Sequence, residues 1–505
     1  MTNKRKNLSM AADTDKVRLI FGLKVKQLRL DRAISTHELA NRTGLSPSYL
    51  NEIEKGKKYP KTEKIFLIAK ALQTDYDSLV SLKLSKKLEP IAELLNSNIL
   101  SELPLEMFGI EPANFLELMS SAPAKLSAFV NTIIQIGRSY DLRVQEFYFS
   151  AVRTYQEMQE NYFEDLELAA NVFLDQNSLS SVPSVCITQL STYLTEHCKY
   201  IILDFDETLQ PELAQLRSVF IPEKRTLNLN SRLSDVQRAF TLAREVGYQQ
   251  LKITQRGLVS SALESESFEE VLNNVRASYF AGAILIPRQN LIAQLTHLFD
   301  QTDWQQQRLI ELMRQYAVTS EVFFQRITNI MASHFEVKQL FFLRFNHLVA
   351  ANRFLLTKEL YLSKRHGPPA SALDEHYCRR WVSLTILKEL EQLQNNKSWD
   401  GEPLCRAQIS TYADSNEQYF VVSLAKSSPP HDQNSSVSLG FLINPKLRNI
   451  FKFLRDPNLH KREVNETCQR CSIVNCEVRA AKPVIFERNQ RRANVKKTVE
   501  VLRFS

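Results

Sequence analysis

Three cysteines lie within nine residues near the end of this 505-residue chain: Cys468, Cys471 and Cys476, with the spacing C-x2-C-x4-C. The whole chain has seven cysteines, so nearly half of its thiols are concentrated in this segment. Thiolates this close together can reach one metal ion or one small cluster without closure of a long loop. An odd, uneven cysteine count is poor for a disulfide framework. The spacing therefore predicts a metal centre.

The fourth ligand and the type of metal stay open at this point. A [4Fe–4S] cluster prefers four thiolates, and a four-thiolate site also suits zinc. Spacing does not fix the fourth cysteine, for which Cys378 is preferred over Cys405. No histidine follows Cys476, and the nearest upstream histidine is His460. Simple burial of the thiols is the third alternative. Several arginines nearby either offset a negative cluster, meet anionic ligand groups or form a solvated basic tail: Arg470, Arg479, Arg488, Arg491 and Arg492.

The opposite end of the chain is basic. Residues 1–87 carry 19 Lys and Arg against 9 Asp and Glu, whereas the whole chain has a formal net charge of +8. A positive field concentrated on one domain is typical of a nucleic-acid contact.

The helix signals in this basic region describe two short helices joined by a tight turn. Ser35 is a predicted N-cap that forms a capping box with Glu38 at the start of a helix over 36–42. Gly44 ends this helix, and Ser46 caps the next one, over 46–54. Two further helices are expected over 62–72 and 75–82. This is a helix-turn-helix arrangement.

The segment from Ser35 to Leu72 resembles the lambda-repressor-like (XRE) family, over about 65 residues including its flanks. The resemblance implies that the second helix of the pair lies in the major groove. Thr36 stands where the family usually has a phosphate-contacting Gln. The residues expected at DNA bases or phosphates are Thr36, Ser46, Ser48, Tyr49, Asn51, Lys55 and Lys57, with Lys58 as a further phosphate contact.

The middle of the chain is expected to be a linker over 88–130 that gives way to a helical stretch over 123–173. Four side chains fall at helical spacing and are interpreted as core or dimer contacts: Tyr155, Met158, Tyr162 and Phe163.

Two enzyme motifs are incomplete. Asp204 and Asp206 follow an apolar run in the D-x-D-x-T pattern of magnesium-dependent phosphatases. The magnesium site of such phosphatases also needs later acidic residues, typically near a Gly-Asp pair, and none of the eleven glycines is followed by Asp. The second motif is the run from Arg238 to Tyr248, with Leu227–Asn230 upstream and Ala277–Pro287 downstream, and it resembles the ImmA/IrrE-type metallopeptidase-like domain. Its two His positions are occupied by Arg244 and Tyr248, its third ligand position by Arg276, and Glu245 alone cannot hold zinc. We expect the fold without hydrolysis.

The C-terminal part alternates strand and helix signals. Strands are expected at 339–346, 418–424 and 436–443, with a helix over 381–394. Gly440 marks a bulge or a close approach of two backbones.

In order, these motifs resemble the short-chain fatty acyl transcriptional regulator family over nearly the whole chain. The resemblance implies an acyl-CoA effector and a [4Fe–4S] cluster, and it implies a specific ligand set: Cys378, Cys468, Cys471 and Cys476.

Together these features predict a multidomain protein with an all-α helix-turn-helix N-terminal domain, a helical middle and an α/β C-terminal sensory region. The expected domains are a DNA-binding domain (1–87), a linker and helical dimerisation segment (88–190), a degenerate metallopeptidase-like domain (191–335) and an effector-sensing domain with the cysteines (336–505). The expected function is a cytoplasmic, homodimeric, non-enzymatic transcriptional regulator that binds double-stranded DNA and an acyl-CoA and has no membrane contact. The alternatives are a phage-type repressor with structural zinc, and an Mg-dependent phosphatase.

Overall fold

The chain forms two compact units, Met1–Phe147 and Tyr148–Ser505. The computed structural model describes residues 17–18, 20–81, 144–179, 185–206, 211–214, 216–259, 267–362, 375–428 and 433–504. The expected architecture is confirmed: a helical N-terminal domain, a helical middle and a sheet-containing C-terminal region. The predicted linker over 88–130 lies outside the described residues.

The first unit is helical, and its caps at Ser35 and Ser46 and its turn at Gly44 form as predicted. The predicted capping box is not completed, because the Glu38 side chain accepts a hydrogen bond from Arg42. The helices of this unit are α1 (20–31), α2 (Thr36–Thr43), α3 (Pro47–Glu54), α4 (Thr62–Ala71) and α5 (Tyr76–Val80). The Ser35 hydroxyl accepts the Glu38 N–H at 3.1 Å, and the Ser46 hydroxyl accepts the Tyr49 N–H at 3.2 Å. Gly44 ends α2 with φ +70°, a conformation that suits glycine.

The core of the first unit brings α1 directly against the end of α3. A Cβ added to Gly22 would lie 2.2 Å from the carbonyl oxygen of Ile53, so only glycine permits this contact. Leu39, Leu50 and Ile53 are fully buried between the helices. The position of α3 is therefore set by backbone contact as well as by apolar packing.

The second unit begins with a helical layer: α6 (Val144–Met158), α7 (Glu164–Gln176), α8 (Ile187–Thr192), α9 (Asp235–Gln250), α10 (Phe268–Leu285), α11 (Arg288–Phe299), α12 (Gln306–Gln315) and α13 (Ser320–His334). The helical stretch predicted over 123–173 is helical in its described part, from residue 144, but it is divided there into the separate helices α6 and α7. Glu160 and Asn161 interrupt it with φ of 51° and 54°. Tertiary hydrogen bonds stabilise this interruption. The side-chain amide of Asn161 donates to the Thr328 hydroxyl at 2.9 Å, and the backbone carbonyl of Asn161 accepts from the side-chain amide of Asn329 at 2.9 Å.

The four side chains expected in a core or dimer contact do not share one environment. Tyr155 and Phe163 stack on each other with ring centroids 5.5 Å apart, and Phe163 meets Tyr279 edge-on at 5.3 Å. Tyr162 bonds to Glu164 and Arg288. Met158 is 55% exposed, so it is not a core residue.

A small sheet lies between α8 and α9, with the strand order β1-β3-β2. Its strands are β1 (Ile201–Phe205), β2 (Ser218–Ile221) and β3 (Thr226–Asn230), with β1 parallel and β2 antiparallel to β3. Leu227 and Leu229 of β3 are fully buried in the main core.

A six-stranded sheet follows, with the order β5-β4-β8-β7-β6-β9. Its strands are β4 (Leu340–Leu348), β5 (Arg353–Tyr361), β6 (Leu404–Tyr412), β7 (Gln418–Ser428), β8 (Gln433–Leu442) and β9 (Lys461–Val464). All pairs are antiparallel except β6 with β9. The helices of this region are α14 (Val382–Asn395), which packs on the sheet, α15 (Pro445–Ile450) and α16 (Val484–Phe504).

Gly440 lies against an aromatic side chain, whereas a bulge or a close approach of two backbones was expected. Gly440 is paired with Phe341 across β8 and β4, and a Cβ at Gly440 would lie 2.1 Å from the Phe341 ring. Within the described ranges, no helix is long and apolar enough to span a bilayer.

Candidate functional site

The candidate DNA-reading surface is the outer face of α3. Ser46, Ser48 and Asn51 are exposed there, as their expected role requires. Tyr49 is half-buried and so is Thr36 at the start of α2. The helix thus presents short polar groups capable of hydrogen bonds to base edges.

Cations flank this helix, and several are held in place. The Lys64 ammonium lies 4.2 Å from the centre of the Tyr49 ring, and that of Lys58 lies 5.7 Å from it. Lys58 also pairs with Glu52 at 2.7 Å, so this predicted phosphate contact has a carboxylate neighbour. Lys57 is exposed and Lys55 half-buried at the end of α3.

The end of α3 is fixed by a buried ion pair. Arg29 of α1 donates from Nε and Nη2 to the two carboxylate oxygens of Glu54, at 2.6 and 2.8 Å. It also donates to the carbonyl of Ile34 at 2.9 Å. Both side chains are almost completely buried. The two-point geometry holds the reading helix in a defined orientation.

The cysteines predicted to bind metal come from two segments that are hydrogen-bonded to each other. The Cys378 N–H donates to the carbonyl of Glu466 at 3.0 Å, and the Cys468 N–H donates to the carbonyl of His376 at 2.8 Å. Cys378, Cys468 and Cys471 are buried, and Cys476 is half-buried. The structure therefore places Cys378 beside the C-x2-C-x4-C segment, whereas Cys405 lies in β6.

This thiol group (Cys378, Cys468, Cys471 and Cys476) has backbone N–H groups directed at three of its sulfurs, those of the first three cysteines. The Ala480 N–H donates to Cys468 Sγ at 3.3 Å. Burial raises the pKa of Cys378 to about 11, while the N–H groups of Asn465 and Arg380 lower it and the charges of Cys471 and Cys468 raise it. Burial also raises the pKa of Cys471, opposed by the Ile473 N–H. Donors at sulfur stabilise the thiolate form that a metal requires.

Cys405 has a different environment. Burial raises the pKa of Cys405 to about 12, and the charge that opposes this rise is Arg406 of the same strand. It is 1% exposed within the main apolar core. Its setting is that of an inert buried thiol.

The arginines near the thiol group divide into two roles. Arg470 forms a two-point pair with Glu375, with Nε at 2.8 Å and Nη2 at 2.6 Å from its oxygens. Arg479 instead donates to the carbonyls of Cys468 and Ile473 and lowers the pKa of Cys471. Sequence spacing does not separate these two roles.

Among the residues that the structure describes, no three Cys, His, Asp or Glu side chains are grouped closely enough to hold one ion. The donor chemistry nevertheless suits an iron–sulfur cluster, which is larger than one ion and is ligated by four thiolates.

The glutamate of the degenerate peptidase motif is held in a buried ion pair. Glu245 is fully buried, and Arg256 donates to its two carboxylate oxygens at 2.5 and 2.7 Å. The Arg256 guanidinium also lies 3.8 Å from the centre of the Tyr248 ring. Arg276 pairs with Asp165 at 3.3 Å. Sequence reasoning missed Arg256, because nothing in the spacing links it to Glu245.

The phosphatase-like carboxylate is also engaged by a cation. Asp204 at the end of β1 lies 2.8 Å from Arg238 of α9 and is 53% exposed. A surface ion pair of this kind is an ordinary structural element.

Comparisons with known proteins identify two of these regions. Residues 25–79 match the helix-turn-helix family model, and residues 201–328 match the IrrE N-terminal-like domain. The chain therefore contains a helix-turn-helix domain followed by an IrrE-like domain.

Two curated relatives are both described as HTH-type transcriptional regulator RamB, from the CDC 1551 / Oshkosh and H37Rv strains of Mycobacterium tuberculosis. Each is 26% identical over 286 residues, which cover 53% of this chain and 57% of the relative. The match thus spans little more than half of the relatives' length. A solved Mycobacterium tuberculosis transcriptional regulator is 19% identical, with a TM-score of 0.48, over 66% of this chain and 93% of that one.

Proposed function

We propose that this protein is a DNA-binding transcriptional regulator. The observation that carries the proposal is α3, a capped helix that exposes Ser46, Ser48 and Asn51 within the helix-turn-helix match. Short polar side chains on such a helix read base edges in the major groove, and cations around it bind phosphate. The partial similarity to RamB supports the same role.

The proposal is tested by selecting a preferred duplex with the full-length protein and measuring binding over a range of salt concentrations. Asn51→Ala should weaken binding to the selected duplex by about 1–3 kcal/mol and leave binding to random duplex unchanged. Lys57→Ala should instead weaken both and reduce the salt slope by about 1. A protein with no preference for any duplex would refute the function, and an unchanged Asn51→Ala would remove Asn51 from the reading surface.

We further propose that Cys378, Cys468, Cys471 and Cys476 hold a [4Fe–4S] cluster. Three buried thiols with N–H donors at sulfur, on two segments that are hydrogen-bonded to each other, support this ligand set. The preference for a cluster over zinc rests on the resemblance to short-chain fatty acyl regulators. When bound, the cluster would supply a centre sensitive to oxidants or iron supply. The chain's own residues would hold it, with Arg479 beside it as a compensating cation.

Anaerobic purification with metal analysis separates the two metals. The cluster predicts a brown protein with about four irons per chain, lost in Cys471→Ser and retained in Cys405→Ser. Colourless protein with one zinc would instead support the phage-type repressor. Full iron content in Cys471→Ser would exclude this thiol as a ligand.

The proposed effector is a short-chain acyl-CoA and the proposed assembly is a homodimer. The effector rests on the resemblance to short-chain fatty acyl regulators, and the dimer on the need for two heads to read two half-sites one helical turn apart. An acyl-CoA can shift operator affinity only if it binds the two conformations of the regulator with different affinity. Titration of acyl-CoAs during operator binding tests the effector, and sedimentation tests the dimer.

We infer that the IrrE-like domain is not a peptidase. Arg256 engages both oxygens of Glu245, which is the carboxylate that would activate water. Two ligand positions are taken by Arg244 and Arg276, whose charges repel a dication. These contacts support a binding or coupling role for the domain.

A further inference from the structure

We propose that α16 is a second contact of this protein with double-stranded DNA, which binds phosphates without regard to base sequence. The helix covers Val484–Phe504 and lies outside the helix-turn-helix match. Its cationic surface is a property of α16 itself, whereas the choice of DNA as the partner rests on the proposed function.

Most of α16 does not pack on the second unit. The helix lies against the turn Cys468–Arg470, and its half-buried side chains are Ile485 and Phe486. Every side chain from Glu487 to Arg503 is exposed. Helices in proteins gain most of their stability from the packing of one face, and in this stretch no face of α16 is packed against the described chain. The surface of α16 is therefore accessible to a partner.

The charge of α16 is concentrated and positive. Its two carboxylates, Glu487 and Glu500, are outnumbered by six cations: Arg488, Arg491, Arg492, Lys496, Lys497 and Arg503. The helix thus carries +4 in 21 residues, whereas the chain beyond residue 87 sums to −2, because the whole chain is +8 and residues 1–87 are +10. A basic helix within an otherwise acidic remainder indicates a surface directed at an anion.

The arginines in the first half of α16 are not engaged by the chain itself. Within the described residues, no ion pair or side-chain hydrogen bond involves Arg488, Arg491 or Arg492. Lys338 and Lys452, also exposed in the second unit, each pair with a carboxylate, at 2.6 and 2.7 Å. The guanidinium groups of α16 are therefore free to bind an external anion, and each can contact two phosphate oxygens at once.

Helix geometry brings four of the cations into one patch. Arg488, Arg492 and Lys496 are four residues apart and lie one above another, and Arg491 lies beside them. This cation patch (Arg488, Arg491, Arg492 and Lys496) is about 12 Å long, and Glu500 follows at its end. One strand of duplex DNA presents a phosphate about every 3.4 Å of its axis, so the patch matches about three or four phosphates.

A membrane surface and a second copy of the helix fit α16 less well. Membrane-surface helices separate a broad apolar face from their cations. In α16, Val495, Val499 and Leu502 lie on the same face as the cation patch, so the apolar and cationic residues are not separated. A second α16 would bring an equal charge of +4 against the first, and like charges oppose association.

The first test is the binding of random-sequence duplex to the full-length protein over a range of salt concentrations. A triple variant (Arg488→Gln, Arg491→Gln and Arg492→Gln) should bind this duplex about tenfold or more weakly at about 50 mM salt. The slope of log K against the logarithm of salt concentration should fall by about 2–3, because each lost phosphate contact removes about 0.9. The matched control removes the same charge from exposed lysines elsewhere in the second unit and should change both quantities far less: Lys224→Gln, Lys397→Gln and Lys461→Gln.

Chemical modification of the wild-type protein tests α16 directly, without a substitution that could alter folding. Phenylglyoxal modifies exposed arginines, and mass spectrometry locates the modified residues. Saturating duplex should protect Arg488, Arg491 and Arg492. Arg314 pairs with Glu402 and is about half exposed, so it should react equally with and without duplex.

Arginines of α16 that stay fully reactive in saturating duplex would overturn the proposal, as would an equal loss of affinity in the lysine control. Protection that is at least as strong with anionic phospholipid vesicles, or that appears at high protein concentration without DNA, would also overturn it. Preference for a selected duplex over random duplex depends on α3, so the triple variant should retain that preference. A failure of the proposed function would appear as absence of the preference with the α16 contribution to the salt slope intact, so the two failures are distinguishable.

Discussion

Replacement of Glu54 by alanine should unfold the N-terminal domain selectively. Arg29 would then be left buried at the end of α3, with only the Ile34 carbonyl as a remaining acceptor. Removing one partner of a buried ion pair costs about 3–5 kcal/mol. A domain of this size has a total stability of about 3–9 kcal/mol, at roughly 0.05–0.15 kcal/mol per residue. The substitution should therefore remove most of the free energy of unfolding of the domain.

Glu52 provides the matched control on the same helix. Its pair with Lys58 is just as short, at 2.7 Å, but both side chains are about half exposed. Exposed pairs contribute about 0–1 kcal/mol, so Glu52→Ala should be nearly neutral. Both variants remove a carboxylate of α3 from an ion pair, so a difference in stability between them reports the effect of burial.

Hydrogen exchange of the full-length protein measures this effect locally. Amides of α1 and α3 should lose about a hundredfold or more of their protection in Glu54→Ala, while β4 and β7 keep theirs. Glu52→Ala should keep protection in both units. Equal protection in the two variants would refute the argument that burial makes the Arg29–Glu54 pair a structural requirement.

Two further predictions concern the six-stranded sheet. His347 is fully buried, neither ring nitrogen has a hydrogen-bond partner, and the Glu391 carboxylate lies 4.0 Å from Nδ1. Burial lowers the pKa of His347, the charges of Lys388 and Arg379 lower it further, and Glu391 opposes them. The proton is then bound mainly by the unfolded chain, so stability should fall as pH drops below about 6.5, less steeply in His347→Leu than in the wild type or the exposed His460→Leu. Gly440→Ala should cost about 1–3 kcal/mol in denaturant unfolding because of the Phe341 ring. Gly257→Ala, with its nearest neighbour at 3.6 Å, should cost far less, and equal costs would contradict the steric argument.

Local signals allowed much of the helical N-terminal domain to be predicted. The caps at Ser35 and Ser46 and the turn at Gly44 depend on interactions within a few residues, which a sequence displays directly. A special packing role for Gly440 was also predictable, since glycine inside a strand marks a bulge or a close approach, but the sequence did not show that the neighbour is a side chain. Its partner Phe341, about a hundred residues earlier, was not predictable.

Long-range contacts explain the failures. The interruption between α6 and α7 at Asn161 contains no glycine or proline that would indicate it in the sequence. Hydrogen bonds with Thr328 and Asn329 of a distant helix hold the positive φ of Asn161. The pairing of Arg256 with Glu245 likewise depends on how the loop after α9 folds back. The metal ligands, the effector and the dimer remain predictions that rest on the sequence.

The bridge between Tyr377 and Thr467 has a thermodynamic consequence for cofactor loading. Roughly ninety residues separate Cys378 from Cys468, and joining the ends of so long a loop carries a substantial entropic penalty. Here the sheet and the bridge already hold the two segments together, so cofactor binding would not have to offset the entropic cost of closing the loop. Loading and loss of the inorganic group would then be local events, unlike those of a zinc finger that collapses when stripped. If the proposed cluster is lost, we therefore expect the six-stranded sheet to stay folded.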